Sequence, residues 1–107
     1  MTDHWTELTL MGAPVEDEVI EARAGDRMLA AVRHAGAWRV FDDMCTHAQC
    51  AFTDYGEVAP EDGVIICNCH GAEFSLADGS VVLEPAEVPL TLLEVRERDG
   101  RLEVLLA

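Results

Sequence analysis

Cys45-Thr46-His47 and Cys67-Asn68-Cys69-His70-Gly71 put one thiol and one imidazole on each of two separate segments. A fold that uses the four together must bring two loops face to face. That demand constrains the architecture before any strand is assigned. Cys45 and His47 stand at alternate positions, so a tight loop can point both side chains the same way. Two residues separate Cys67 from His70, a spacing that suits a turn, and Gly71 gives backbone freedom directly after it. Facing each other, the loops offer donors in the order S, N, S, N.

Three chemistries use such donors. In an iron–sulfur centre with two irons, two bridging sulfides and two thiolates complete one iron, and two sulfides and two imidazoles complete the other. A structural zinc site of Cys2His2 type uses the same residue types. A redox dithiol uses only the sulfurs. The donor order argues against zinc, whose pattern pairs Cys with Cys and His with His at short spacing. Residue types alone leave the zinc and dithiol readings open.

The rest of the chain reads as strands. Trp5 to Leu10 alternates apolar and polar, Met28 to Arg33 is apolar enough for a buried strand, and Trp38 to Phe41 is its hairpin partner across His34-Ala35-Gly36-Ala37. Val19 to Ala22 allows a strand or a helical turn, closed by Gly25-Asp26. Residues 45–83 collect Cys, His, Gly and Asp and carry only short strands: Val64 to Ile66, Glu73 to Ser75 and Val81 to Leu83. Alternation resumes over Thr91 to Arg96 and Arg101 to Leu106, around the turn Arg98-Asp99-Gly100. A β framework from the outer thirds is expected to carry the middle third as a loop-rich insert.

Here the chain resembles the Rieske ferredoxin family over nearly its whole length. The resemblance lies in the approach Trp38-Arg39-Val40-Phe41-Asp42-Asp43-Met44 to the first loop, in the second loop through Phe74, and in Glu84-Pro85-Ala86-Glu87-Val88-Pro89, similar to a proline-containing loop that shields the cluster. It implies an all-β fold: an antiparallel sandwich or barrel-like base of about residues 1–44 and 84–107, carrying a cluster-binding subdomain of about 45–83, as one domain. It implies one [2Fe–2S] cluster per chain, with Cys45 and Cys67 on the inner iron and His47 and His70 on the outer one. The segment between His47 and Cys67 is longer than the resemblance leads one to expect. Cys50 and Cys69 match two positions that form a disulfide in Rieske proteins of the cytochrome bc type, so the resemblance implies that bridge here, while small ferredoxins of the family usually lack it and a cytoplasmic setting leaves two free thiols as the alternative. Those proteins carry Ser and Tyr hydroxyls where this chain has Ala72 and Phe74. Fewer donors near the sulfurs, with Asp42 and Asp43 adding negative charge, imply a potential toward the low end of the range of roughly −150 to +300 mV.

The implied function is one-electron transfer from a flavin reductase to the terminal oxygenase of an aromatic dioxygenase or related monooxygenase system, with no substrate turnover by this chain alone. The competing expectation is a stably bound Rieske subunit of a larger oxidoreductase complex. A formal charge of −14 disfavours nucleic acid and anionic membranes and favours partners with basic docking faces. No apolar run is long enough to span a bilayer, and the polar, acidic start lacks the features of a signal peptide, so a cytoplasmic, bacterial protein is expected. His4 and His34 read as surface residues, and Trp5 and Trp38 as core.

Overall fold

A computed structural model describes residues 4–44, 50–69, 71–84 and 88–106, excluding the side chain of His4. Strands dominate: β1 (His4–Glu7), β2 (Thr9–Leu10), β3 (Val19–Ala24), β4 (Arg27–His34), β5 (Ala37–Asp42), β6 (Gly56–Ala59), β7 (Val64–Cys67), β8 (Ala72–Ser75), β9 (Val81–Leu83), β10 (Val95–Arg98) and β11 (Arg101–Leu106). One short helix, α1 (Phe52–Tyr55), precedes β6. The strands form three antiparallel sheets: a terminal sheet ordered β1-β11-β10, a middle sheet β2-β3-β4-β5 and a third sheet β6-β7-β8-β9. No helix among the described residues is long and apolar enough to cross a membrane.

The middle sheet is buried on both faces, which explains the unbroken apolar run in β4. Strand side chains alternate between faces. Leu29 and Ala31 join Leu8, Ala22, Val40 and Val104 in a core shared with the terminal sheet. Ala30 and Val32 point the opposite way, into a second core with Phe41, Phe52, Ile65, Phe74, Leu76 and Leu90. Phe52 stands edge-on to both Phe41 and Phe74, with centroids 5.1 and 6.0 Å away. Each fully buried aromatic of this kind contributes about 1.5–3 kcal/mol. The third sheet is therefore fastened to the middle sheet through an aromatic stack.

Several expectations change in detail. The alternation from Trp5 to Leu10 is cut at Leu8: β1 pairs with β11 and β2 with β3, so one run feeds two sheets. Leu8 is buried at the crossing, and its amide donates to Leu102 O. Val19 to Ala22 is strand rather than helical turn, continued to Ala24. Segment 91–96 becomes regular strand only from Val95, although Leu93 bridges Val40. The hairpin turns at Ala35-Gly36 and Asp99-Gly100 have positive φ at both central residues, the twist that joins two strands most directly. His34 is not a free surface residue: its Nδ1 lies 2.7 Å from Asp17 Oδ1, with both groups mostly buried. Trp5 and Trp38 are half-buried rather than core. Trp5 carries the Arg96 guanidinium 4.0 Å above its ring.

Candidate metal centre

The first motif segment leaves β5 and re-enters regular structure at α1, and the second joins β7 to β8. Cys67 ends β7. Its side chain faces inward beside Ile65, Ala72 and Phe74, and it is wholly buried as a free thiol. Past it the chain reverses. Gly71 takes a φ of +84°, and its amide donates to Cys67 O at 2.8 Å. A left-handed residue at this reversal suits glycine, which lacks the Cβ that penalises others there. Of the remaining predicted ligands, Cys45, His47 and His70 lie outside the described residues, as do Pro85, Ala86 and Glu87 of the proline-containing segment.

A disulfide between Cys50 and Cys69 links the two loops, with Cα atoms 6.3 Å apart. It ties the end of one motif to the middle of the other and consumes two of the chain's four sulfurs. The thiols left for a metal are Cys45 and Cys67. Two thiols are too few for a four-cysteine centre.

Three features hold this region, and the sequence alone did not flag them. Asp43, two residues before Cys45, is buried. Its Oδ1 accepts the Thr53 amide at 2.9 Å and its Oδ2 the Thr53 hydroxyl at 2.7 Å. The carboxylate thereby caps α1, for which Ala51 offers no side-chain bond, and closes the first loop at its base. Asp42, grouped with Asp43 in the sequence reading, is instead exposed and paired with Arg27 at 2.8 Å. On the other side, Asn68 donates twice, its amide to Tyr55 O at 2.8 Å and its Nδ2 to Glu57 Oε1 at 3.0 Å. The segment after the proline-containing loop is pinned where the Leu90 amide meets Gly79 O at 2.8 Å. A Cβ on Gly79 would collide with the Leu90 carbonyl, and its φ of +81° excludes other residues without strain. The only sequence signal for these contacts was the lone Gly after Asp78.

A model of the Rieske [2Fe-2S] domain matches residues 4–97. A cytochrome b6-f complex iron–sulfur subunit of Chlorobaculum tepidum is 32% identical over 82 residues, 77% of this chain and 42% of that protein. The ferredoxin component of the alkene monooxygenase system of Xanthobacter autotrophicus is 31% identical over 77 residues, 72% of this chain and 61% of that one. The chain thus spans less than two thirds of these two curated relatives. Among solved structures, the complex of reduced oxygenase and oxidized ferredoxin in carbazole 1,9a-dioxygenase contains a chain that superposes with a TM-score of 0.77 at 26% identity, covering 94% of this chain and 91% of that one.

Proposed function

This chain belongs to the Rieske [2Fe-2S] domain family, and we propose that it is a one-electron carrier delivering electrons from a flavin reductase to a terminal oxygenase. The carrier reading fits better than the bound-subunit reading. The chain covers 91% of a ferredoxin chain solved with its oxygenase but 42% of the cytochrome-complex subunit. In this proposal the chain is not itself an enzyme. Its base is about residues 1–44 and 84–107, and about 45–83 form the cluster-binding subdomain.

The residues fit the family's cofactor. With Cys50 and Cys69 joined, Cys45 and Cys67 would hold one iron and His47 and His70 the other. When bound, the [2Fe–2S] cluster supplies a one-electron couple that needs no substrate chemistry from the protein. The chain's own work is to exclude water and to hold the loops still. The disulfide and the Asp43–Thr53 contact fix the loops from two sides, and buried Cys67 presents its thiol from a packed aromatic core. Ala72 pairs with Cys67 across β7 and β8 and offers no side-chain donor, which supports a low potential.

The observation that carries the proposal is a buried free thiol beside a disulfide that unites the two motif loops. Iron and acid-labile sulfide should be found in equal amounts in anaerobically purified protein, with an axial spin-resonance signal on reduction. His47→Ala and His70→Ala should each abolish that signal. Absence of labile sulfide, or an unchanged signal in either variant, overturns the ligand assignment. Ala72→Ser should raise the midpoint potential measured by redox titration, because a hydroxyl beside Cys67 can donate toward sulfur. A lowered or unchanged value would refute the argument from missing donors.

A further inference from the structure

Charge is distributed very unevenly along this chain. Residues 40–95 hold eleven of the 21 carboxylates and none of the seven arginines. Five arginine–carboxylate pairs among the described residues involve Glu7, Glu16, Glu21, Asp42 and Glu103, Asp17 contacts His34, and none of these reaches the third sheet. That sheet packs one face, carrying Ile65, Cys67, Ala72 and Phe74, into the core. Its opposite face carries a cross-strand row set by the register, Glu57 beside Ile66 and Ile66 beside Glu73, with Leu83 paired to Glu73 across an irregularity between β8 and β9. Glu57 and Leu83 are exposed, and Ile66 and Glu73 are half-exposed. Glu73 has no hydrogen-bond or ionic partner among the described residues.

We propose that this outer face of the third sheet is the docking surface for a redox partner protein whose own face presents Arg or Lys next to apolar side chains. The inference rests on the carrier reading above and adds the surface to it. Neighbouring strands lie about 4.8 Å apart, so Glu57 and Glu73 flank Ile66 at roughly 5 Å on either side. A guanidinium laid over Ile66 meets both carboxylates at once, while Ile66 and Leu83 give the contact an apolar centre. A second copy of this chain would bring like charge to like charge, and nucleic acid or an anionic membrane would be repelled in the same way. Ile66 directly precedes Cys67, so a partner seated here stands one residue from a proposed ligand of the inner iron.

The test uses the cluster-loaded, reduced protein and oxidised cytochrome c, a basic electron acceptor. One electron passes from the reduced centre, and ferric haem becomes ferrous. Stopped-flow rates are compared for wild type, for Glu57→Arg with Glu73→Arg, and for Asp26→Arg with Glu97→Arg. The last pair changes net charge equally but lies at exposed positions away from the third sheet, Asp26 in the turn between β3 and β4 and Glu97 on β10. At low salt the Glu57/Glu73 pair should slow transfer about ten-fold and flatten its salt dependence, and the control pair should slow it less than about three-fold. The milder Glu57→Gln with Glu73→Gln, checked for an unchanged absorption spectrum, should fall between wild type and the arginine pair. Equal slowing by both arginine pairs, or none from the Glu57/Glu73 pair, overturns the surface and leaves the carrier reading standing. A loaded protein that reduces no cytochrome at any salt overturns the carrier reading, and the surface with it.

Discussion

Asp43 is a carboxyl residue that this fold buries with no cationic partner among the described residues, and Thr53 bonds both of its oxygens. Hydrogen bonds to a charged group contribute about 1.5–3 kcal/mol each, and stranding a buried donor costs further. Asp43→Ala should therefore lower unfolding stability by about 2–4 kcal/mol in urea titration. Thr53→Val, which keeps the amide bond, should cost only about 1 kcal/mol. Equal losses would mean that Asp43 acts by some route other than Thr53. A second carboxylate, Asp78, is fully exposed, and the Ser80 amide it accepts at 2.9 Å holds it below its ordinary value of 3.8. A depressed folded value means the bond stabilises the turn above the unfolded value and is lost as pH falls through the folded one. NMR titration of the Asp78 carboxyl should give a midpoint under 3.8; a midpoint above it would refute the bond. At this scale the family was legible from the paired motifs because their residue types are rare and their spacing tight. Asp43 was not, because its partner lies ten residues on, across a loop, and carries no pattern of its own.

Among the elements, the link between the two loops matters most. The Cys50–Cys69 bond spans 19 residues that include α1, β6 and β7. In the chain-entropy account, closing a loop of that length stabilises the fold by about 3 kcal/mol. Cys50→Ala with Cys69→Ala should lower stability by that order in thermal melts of the metal-free protein, and added dithiothreitol should lower wild type toward the variant. A variant as stable as wild type would mean that α1 and the aromatic stack alone hold the loops together. Most strands were legible from alternation or from apolar runs ended by Gly, and β7, β8 and β9 lie close to their expected places. Two elements were not. Helix α1 has four residues and its cap comes from Asp43, outside its own segment. Strand β6, Gly56-Glu57-Val58-Ala59, holds a single β-branched residue and owes its form to pairing with β7. The split of Trp5 to Leu10 escaped for a related reason: alternation fixes which face a residue takes but not which sheet its strand joins.

Across the whole molecule, charge and packing divide differently. The middle sheet binds both neighbours through apolar side chains, so cohesion is shared along the fold. Unpaired negative charge is not: the described carboxylates from Asp54 to Glu94 make no ion pair among the described residues, and the arginines sit on the terminal and middle sheets, with Arg39 reaching the Leu76 carbonyl beyond β8. The net charge of −14 could be counted from sequence, but this segregation gains meaning only once the third sheet is seen as a separate layer. Two carboxylates 10 Å apart in water repel by about 0.4 kcal/mol, and several such pairs add to a cost that the expanded unfolded chain relieves. Against this stand five arginine–carboxylate pairs near the surface, each worth about 0–1 kcal/mol and screened by the same salt. The third layer has no ion pair of its own among the described residues to set against this repulsion. Raising NaCl from about 10 to about 200 mM, which shortens the screening length from roughly 30 to under 10 Å, should therefore raise the melting temperature of the protein by a few degrees. Glu57→Gln with Glu73→Gln should raise it at low salt and shrink the further gain from salt. A melting temperature that falls with salt would show that the ion pairs of the other two sheets outweigh the repulsion, and that the acidic layer costs the fold nothing it must recover from a partner.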